Sequence, residues 1–427
     1  MDYAKNNFPF TTNCIIIEMY LILNSFRREQ MKKFLTVLLI LAMVFAMAAC
    51  GSTDNGDGGN GGDAETYAVA MITDYGDITD QSFNQTTYEA CKAFCEANKI
   101  KFSYFKPAGD NTSDRVAMVE QAIGEGYNVI VMPGYAFGGT VVEVAPNYPD
   151  VKFVTLDVAK GDLLEAAVTA KGEEYDYEPD NWNLADYFDM SNVYCMIYQE
   201  EIAGYMAGYA AVKLGYEDLG FLGGMAVPAV VRYGQGFVQG CDAAAAELGK
   251  DVKINYVYGG QFFGNADITA VMDTWYKGGT EIVFAAGGSI YTSACEAAAK
   301  VDGKVIGVDS DQAAIIDADY GEGMTVTSAM KGLYPSTYDA LTEIVLNGKW
   351  ADYAGKIDNL GIVSDTPEDN YVQIAPSTQF KDGAFTADDY KALVAKINAG
   401  EIKVDNNTKK MPKTTNTTVD AQGQIVG

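Results

Sequence analysis

From Tyr67 onward the chain alternates short apolar runs with longer amphipathic stretches, and this alternation limits its fold more than any other feature. Runs at 67–72, 102–105, 128–132 and 151–156 read as buried strands, and stretches at 85–98, 113–125 and 140–145 as helices. Strands apolar on both faces need helices over both faces, the arrangement of a parallel sheet built from right-handed βαβ units. The rhythm breaks over 159–192, which is acidic and rich in Tyr, Trp and Asn, and restarts at 193–198. Further strands are predicted at 219–224, 252–258, 281–286 and 304–308. Helices at 199–214, 230–248, 266–277 and 291–301 separate them, and later segments at 324–330, 335–346 and 387–399 are expected to close the sheets and cross back between lobes. Two βαβ sets predict an α/β protein of two lobes, with a ligand cleft where the carboxyl ends of the strands face each other. The expected N-terminal lobe is 66–158 with 309–332, and the C-terminal lobe is 193–308 with 333–400. An insertion at 159–192 near the crossover and a polar tail at 401–427 complete the chain.

The N-terminus reads as an address. From Met31 the sequence MKKFLTVLLILAMVFAMAAC has two lysines, an apolar run at 34–47, small residues and then Cys50, the layout of a signal peptide over 31–49. The run is short for a membrane span, which needs about 20 apolar residues. The ending Met47-Ala48-Ala49-Cys50 resembles a bacterial lipobox, which implies acylation of Cys50 and an exported protein held by lipid on the outer face of the cell membrane. The linker at 50–65 is glycine-rich and, apart from Cys50 itself, polar or small, a flexible tether. Residues 1–30 precede a complete signal peptide and read as a mis-called extension.

Composition removes whole classes of function. The 427 residues contain no histidine, so Ser-His-Asp and Cys-His catalysis and the commonest metal ligand are excluded. A formal charge of −28 opposes binding to nucleic acid through charge. The seven cysteines form no CxxC or zinc spacing. No phosphate-binding P-loop and no GxSxG elbow occurs. The glycines at 234, 236 and 240 lie within a predicted helix, so close helix packing explains them better than a dinucleotide fingerprint. No cofactor and no metal is implied, and an enzyme would need carboxylates alone.

The segment after the first strand contains Asp74, Gly76, Asp80, Ser82, Phe83 and Asn84. With Gly223-Gly224-Met225, Pro228, Arg232-Tyr233, Gly236-Phe237, Ala285-Ala286-Gly287-Gly288, Val308-Asp309, Asp311-Gln312 and Thr327-Ser328 to Lys331, it resembles the basic membrane protein family of binding lipoproteins, whose members include purine-nucleoside receptors. The resemblance implies a type I periplasmic-binding-protein fold. It also implies a non-enzymatic, monomeric protein that closes by hinge motion on a small solute, a nucleoside, and hands it to the membrane subunits of an ABC importer. Phe83 and Tyr233 would stack on a base, with core packing as the alternative for each, and Phe137 would line the site. Asp74 and Asn84 suit a base edge, or equally a helix cap and turn. Asp80 and Ser82 read as such cap and turn residues. Asp309 would accept ribose hydroxyls beside Lys331, and Gly287 and Gly288 would let backbone approach the ligand. One departure stands out: Gly139 occupies a position where the family carries a base-contacting aspartate. A flavin-like heterocycle or a sugar is therefore an alternative ligand, and a signalling or adhesive surface lipoprotein an alternative role.

Overall fold

The computed structural model describes residues 66–426. The extension, signal peptide, Cys50 and linker lie outside the described residues. Strands β1 (Ala68–Ile72), β2 (Lys101–Phe105), β3 (Val129–Pro133), β4 (Lys152–Leu156), β5 (Val193–Tyr198) and β11 (Ile357–Leu360) form one sheet. Its order is β11-β5-β4-β3-β1-β2, and every neighbouring pair is parallel. The second sheet contains β6 (Asp218–Gly223), β7 (Val252–Tyr258), β8 (Ile282–Ala286), β9 (Lys304–Asp309), β10 (Thr325–Lys331), β12 (Val372–Ile374) and β13 (Thr417–Gln424). Its order is β12-β10-β9-β8-β6-β7-β13, parallel except for the short β12. All residues of β1, β3, β4 and β8 are buried, as helices on both faces require.

Four predicted boundaries need correction. Strand β5 belongs to the first sheet, where it pairs with β4, and β10 belongs to the second, where it pairs with β9. Apolar runs identify strands but not the sheet they join; that is set by where the chain crosses. It crosses after Tyr198, because helix α5 (Glu200–Lys213) packs on α6 (Pro228–Leu248) of the second lobe. It crosses again after Lys331, because α10 (Leu333–Leu341) packs on α1 (Phe83–Asn98) of the first. A third passage over 361–371 joins β11 to β12.

The stretch 159–192 is not a break between lobes. It is the β4-to-β5 connection of one sheet and contains helix α4 (Lys160–Ala170). Leu163, Leu164, Ala167 and Val168 give α4 its buried stripe, and Tyr175 packs beneath it with Trp182 and Tyr187. The polar tail ends in β13, which extends the second sheet alongside β7. An edge strand open on one side tolerates the polar sequence TTVDAQGQ.

The α5–α6 contact shows why glycine recurs there. A β-carbon on Gly236 would lie 2.0 Å from the carbonyl oxygen of Glu201, and one on Gly204 would lie 2.1 Å from that of Tyr233. The two backbones touch, and no side chain fits between them. Gly236→Ala is expected to cost about 1–3 kcal/mol, as overpacking of a tight core does. Urea denaturation measures it; an unchanged midpoint would contradict the contact.

Candidate functional site

The strand ends of both lobes open on one cavity of about 430 Å³, within the range of about 300–1,000 Å³ usual for small-molecule sites. Its first wall is the loop between β1 and α1. Asp74 Oδ1 accepts the backbone N–H groups of Tyr75 and Gly76, both at 2.6 Å, and the Asn84 amide at 3.1 Å. A β-carbon at Gly76 would sit 2.4 Å from Asn84 Nδ2, so only glycine lets this loop close. Asp80 accepts backbone N–H from Ser82, Asn84 and Gln85, the predicted cap of α1. Burial pushes the Asp74 and Asp80 carboxyls up, against these hydrogen bonds. Phe83, Asn84 and Asp74 all line the cavity.

Two strand ends supply carboxylates in the same backbone conformation. Asp157 after β4 and Asp309 at the end of β9 have φ of 61° and 63°, a left-handed region uncommon outside glycine and a form of strain found at functional sites. Between them lies Lys331, only 5% exposed. Its ammonium meets Asp157 Oδ2 at 2.5 Å, Glu200 Oε1 at 3.3 Å and Asp309 Oδ1 at 3.7 Å. The rings of Phe83, Tyr233 and Tyr198 surround it, with centroids at 4.9, 5.5 and 5.7 Å. Burial would discharge Lys331, but Asp157, Asp309 and Glu200 outweigh it and hold the amine well above its usual range. Glu200 reaches on to Arg232, whose Nε lies 2.6 Å from Oε2. Burial opposes its charge, yet Arg232 and Lys331 keep Glu200 below the usual range.

Asp309 already has a partner on each oxygen. Ser82 Oγ donates to Oδ2 at 2.7 Å and the Tyr233 hydroxyl to Oδ1 at 3.2 Å. Ser82 therefore links the lobes, beyond its predicted part in the turn. Tyr233 lines the cavity, but its hydroxyl is turned to Asp309 and its ring stands edge-on to Phe284 at 5.7 Å. At 2% exposure it offers no free face for stacking. Phe137 is a correction: it begins its own helix, is fully buried in the first lobe's core, and does not line the cavity. Tyr135, two residues earlier, takes that place. Gly287 and Gly288 line the cavity, and their neighbours Gly224 and Phe262 leave no room for a β-carbon, at 2.9 Å in each case. Gly139 lies against Thr112 and is not part of the cavity wall.

Sequence reasoning missed Tyr75, Asp157, Asp162, Arg232 and Phe262. Tyr75 and Phe262 come from opposite lobes, with ring centroids 6.4 Å apart. Asp157 carried a usable signal, a polar residue directly after a buried strand, like Asp309. No group of His, Cys, Asp or Glu among the described residues is arranged to hold a metal ion.

A family model described as "ABC transporter substrate-binding protein PnrA-like" matches residues 67–408. The chain belongs to this Bmp family. Its members are substrate-binding proteins and not enzymes, and they serve ABC transporters. Among similar proteins, one from Lactococcus lactis subsp. cremoris, named ABC transporter nucleoside-binding protein BmpA, is 26% identical over 286 residues, 64% of this chain and 72% of its own. An uncharacterized lipoprotein of Pyrococcus abyssi is 23% identical over 340 residues, 78% and 76% of the two chains. A solved structure of ABC transporter solute-binding proteins from Aeropyrum pernix K1 superposes with a TM-score of 0.61 at 18% identity, covering 80% of this chain and 94% of that one. The fold is that of the periplasmic binding proteins. Among the described residues no helix is long and apolar enough to cross a membrane.

The buried charges make stability depend on pH in a definite direction. Burial lifts Asp157 to about 6, and Asp162 and Glu201 each to about 7. The folded protein thus binds protons that the unfolded chain has released, so stability falls as pH rises through this range. The melting temperature is expected to be higher at pH 5.5 than at pH 8; the reverse order would contradict these assignments. Lys331→Met strands three carboxylates and is expected to lose about 3–5 kcal/mol, less at pH 5.5, where they can protonate. Denaturation at the two pH values measures both.

Proposed function

We propose that this Bmp-family protein captures a purine nucleoside in the cleft and delivers it to the membrane subunits of an ABC importer. The observation that carries this reading is one cavity that combines aromatic rings from both lobes with a carboxylate–ammonium cluster. A nucleoside has the matching halves: a flat base with two π-faces and a sugar with adjacent hydroxyls. Phe83, Tyr75 and Phe262 suit the base, where stacking contributes about 1–3 kcal/mol per ring. Asp74 and Asn84 suit its edge, and Asp309, Asp157 and Lys331 suit the hydroxyls.

Charge argues for an unphosphorylated ligand. Asp74, Asp77, Asp80, Asp157, Asp162 and Asp309 line the cavity, against Lys106, Arg232 and Lys331, and two of the three cations already pair with buried carboxylates. A phosphate would add negative charge to a negative site. The protein acts as a monomer tethered by a lipid on Cys50 at the outer face of the membrane, in keeping with a lipoprotein among its relatives. Binding draws the lobes together about the three crossings, and the importer recognises the closed form.

Thermal unfolding of the full-length protein with ribonucleosides, deoxyribonucleosides, free bases, riboflavin and monosaccharides tests the reading. A ligand at 100 times its Kd adds about 2.7 kcal/mol to the folded state. Ribonucleosides are expected to raise the melting temperature, and Phe83→Ala to weaken their binding by about 5- to 150-fold. A shift with riboflavin or a monosaccharide alone would overturn the nucleoside assignment.

A further inference from the structure

Asp162 and Arg232 line the same cavity from opposite lobes, and neither has been given a part in binding so far. Asp162 stands in the first turn of α4. Its Oδ2 accepts the Ala159 N–H at 2.7 Å, which satisfies the start of the helix. Its Oδ1 has no hydrogen-bond partner and is not among the atoms sealed from solvent. Arg232, in the second turn of α6, engages only its Nε with Glu200 and Glu201. Its terminal amino groups make no hydrogen bond to the described residues, and Arg232 is part of the cavity wall. The charge of Arg232 is felt at Asp162, yet the two form no ion pair. A carboxylate and a guanidinium held apart across a cleft present an acceptor beside a donor, a geometry a flat ligand edge can bridge when the lobes close.

We propose that Asp162 and Arg232 read the edge of the base and select a 6-oxopurine nucleoside over a 6-aminopurine one. This rests on the nucleoside reading above. In hypoxanthine and guanine, N1–H donates and the adjacent O6 accepts, so the carboxylate takes the first and the guanidinium serves the second. Adenine reverses both groups: its N1 lone pair would face the carboxylate and its amino group the guanidinium. Two mismatched polar contacts in a desolvated site discriminate by tenfold or more, on the order of the penalties that enzymes and DNA readers show.

The environment of Asp162 adds a pH signature. Burial pushes its carboxyl up to about 7, opposed by the Ala159 N–H and Arg232 and reinforced by Asp157 and Glu165. Tyr135, Tyr175 and Cys195 are the other titratable groups that face it. Accepting N1–H favours the ionised form, so preference for the 6-oxopurine grows as pH rises from 6 to 8.

Calorimetric titration of the full-length protein with inosine, guanosine and adenosine tests the assignment, in the native chain and in Asp162→Asn. Asparagine can still accept the Ala159 N–H but turns an amide donor to the cavity, so a role confined to the helix start would leave the ratio of affinities unchanged. The native protein is expected to prefer inosine over adenosine by about tenfold or more, and Asp162→Asn to bring the ratio to one or below. An unchanged ratio in a folded Asp162→Asn protein, or a native preference for adenosine, overturns the proposal and leaves nucleoside binding intact. If Asp162→Asn does not fold, the native ratio measured from pH 6 to 8 decides: a rise supports the proposal and a flat profile overturns it. Binding of no purine nucleoside by the native chain overturns the parent reading and this inference together.

Discussion

The buried ammonium of Lys331 is the contact on which the rest of the site depends. An isolated cation this deep would be discharged by desolvation; here carboxylates from both lobes and from the first crossing keep it charged. Asp157 belongs to the first lobe, Asp309 to the second, and Glu200 stands where the chain passes between them. Lys331 itself is the last residue before the second crossing. The chain crossings and the polar end of the cavity therefore share the same ion pairs. A change in the angle between the lobes would rearrange these ion pairs.

The strained carboxylates fit that picture. Asp157 and Asp309 each occupy a left-handed conformation directly at a strand end, at a cost of order 1–3 kcal/mol per residue. Such strain persists only where surrounding contacts over-determine it. Lys331 supplies part of that constraint to both, and Ser82 and Tyr233 hold Asp309 from two more sides. The cleft is thus pre-organised at its polar end. At the aromatic end Tyr75 and Phe262 approach from separate lobes, with ring centroids 6.4 Å apart.

Most of the site was legible where a residue's role is local. Asp74, Phe83 and Asn84 stand on or beside the loop after β1, and Asp309 and Lys331 end their strands; the family resemblance singled them out, and all five line the cavity. Phe137 misled because an aromatic just after a strand faces the sheet when it starts a helix, whereas Tyr135, still in the turn, faces out. Asp157 and Asp162 were hidden because the acidic, aromatic stretch after them suggested a boundary, while the helical stripe of 163–168 was short. The fold class follows from the period of the apolar residues alone. The membership of each sheet does not: β5 and β10 join their partners through contacts far apart in sequence, and no local pattern encodes those. The same limit hid β13, whose polar edge reads as a tail.

The most direct test of the central claim is a crystal structure of the protein grown with inosine. The expected result is ligand density between the lobes, with the base against Phe83 and the Tyr75–Phe262 pair and the sugar hydroxyls toward Asp309 and Lys331. A cleft that stays empty, or inosine bound elsewhere on the molecule, would contradict the account.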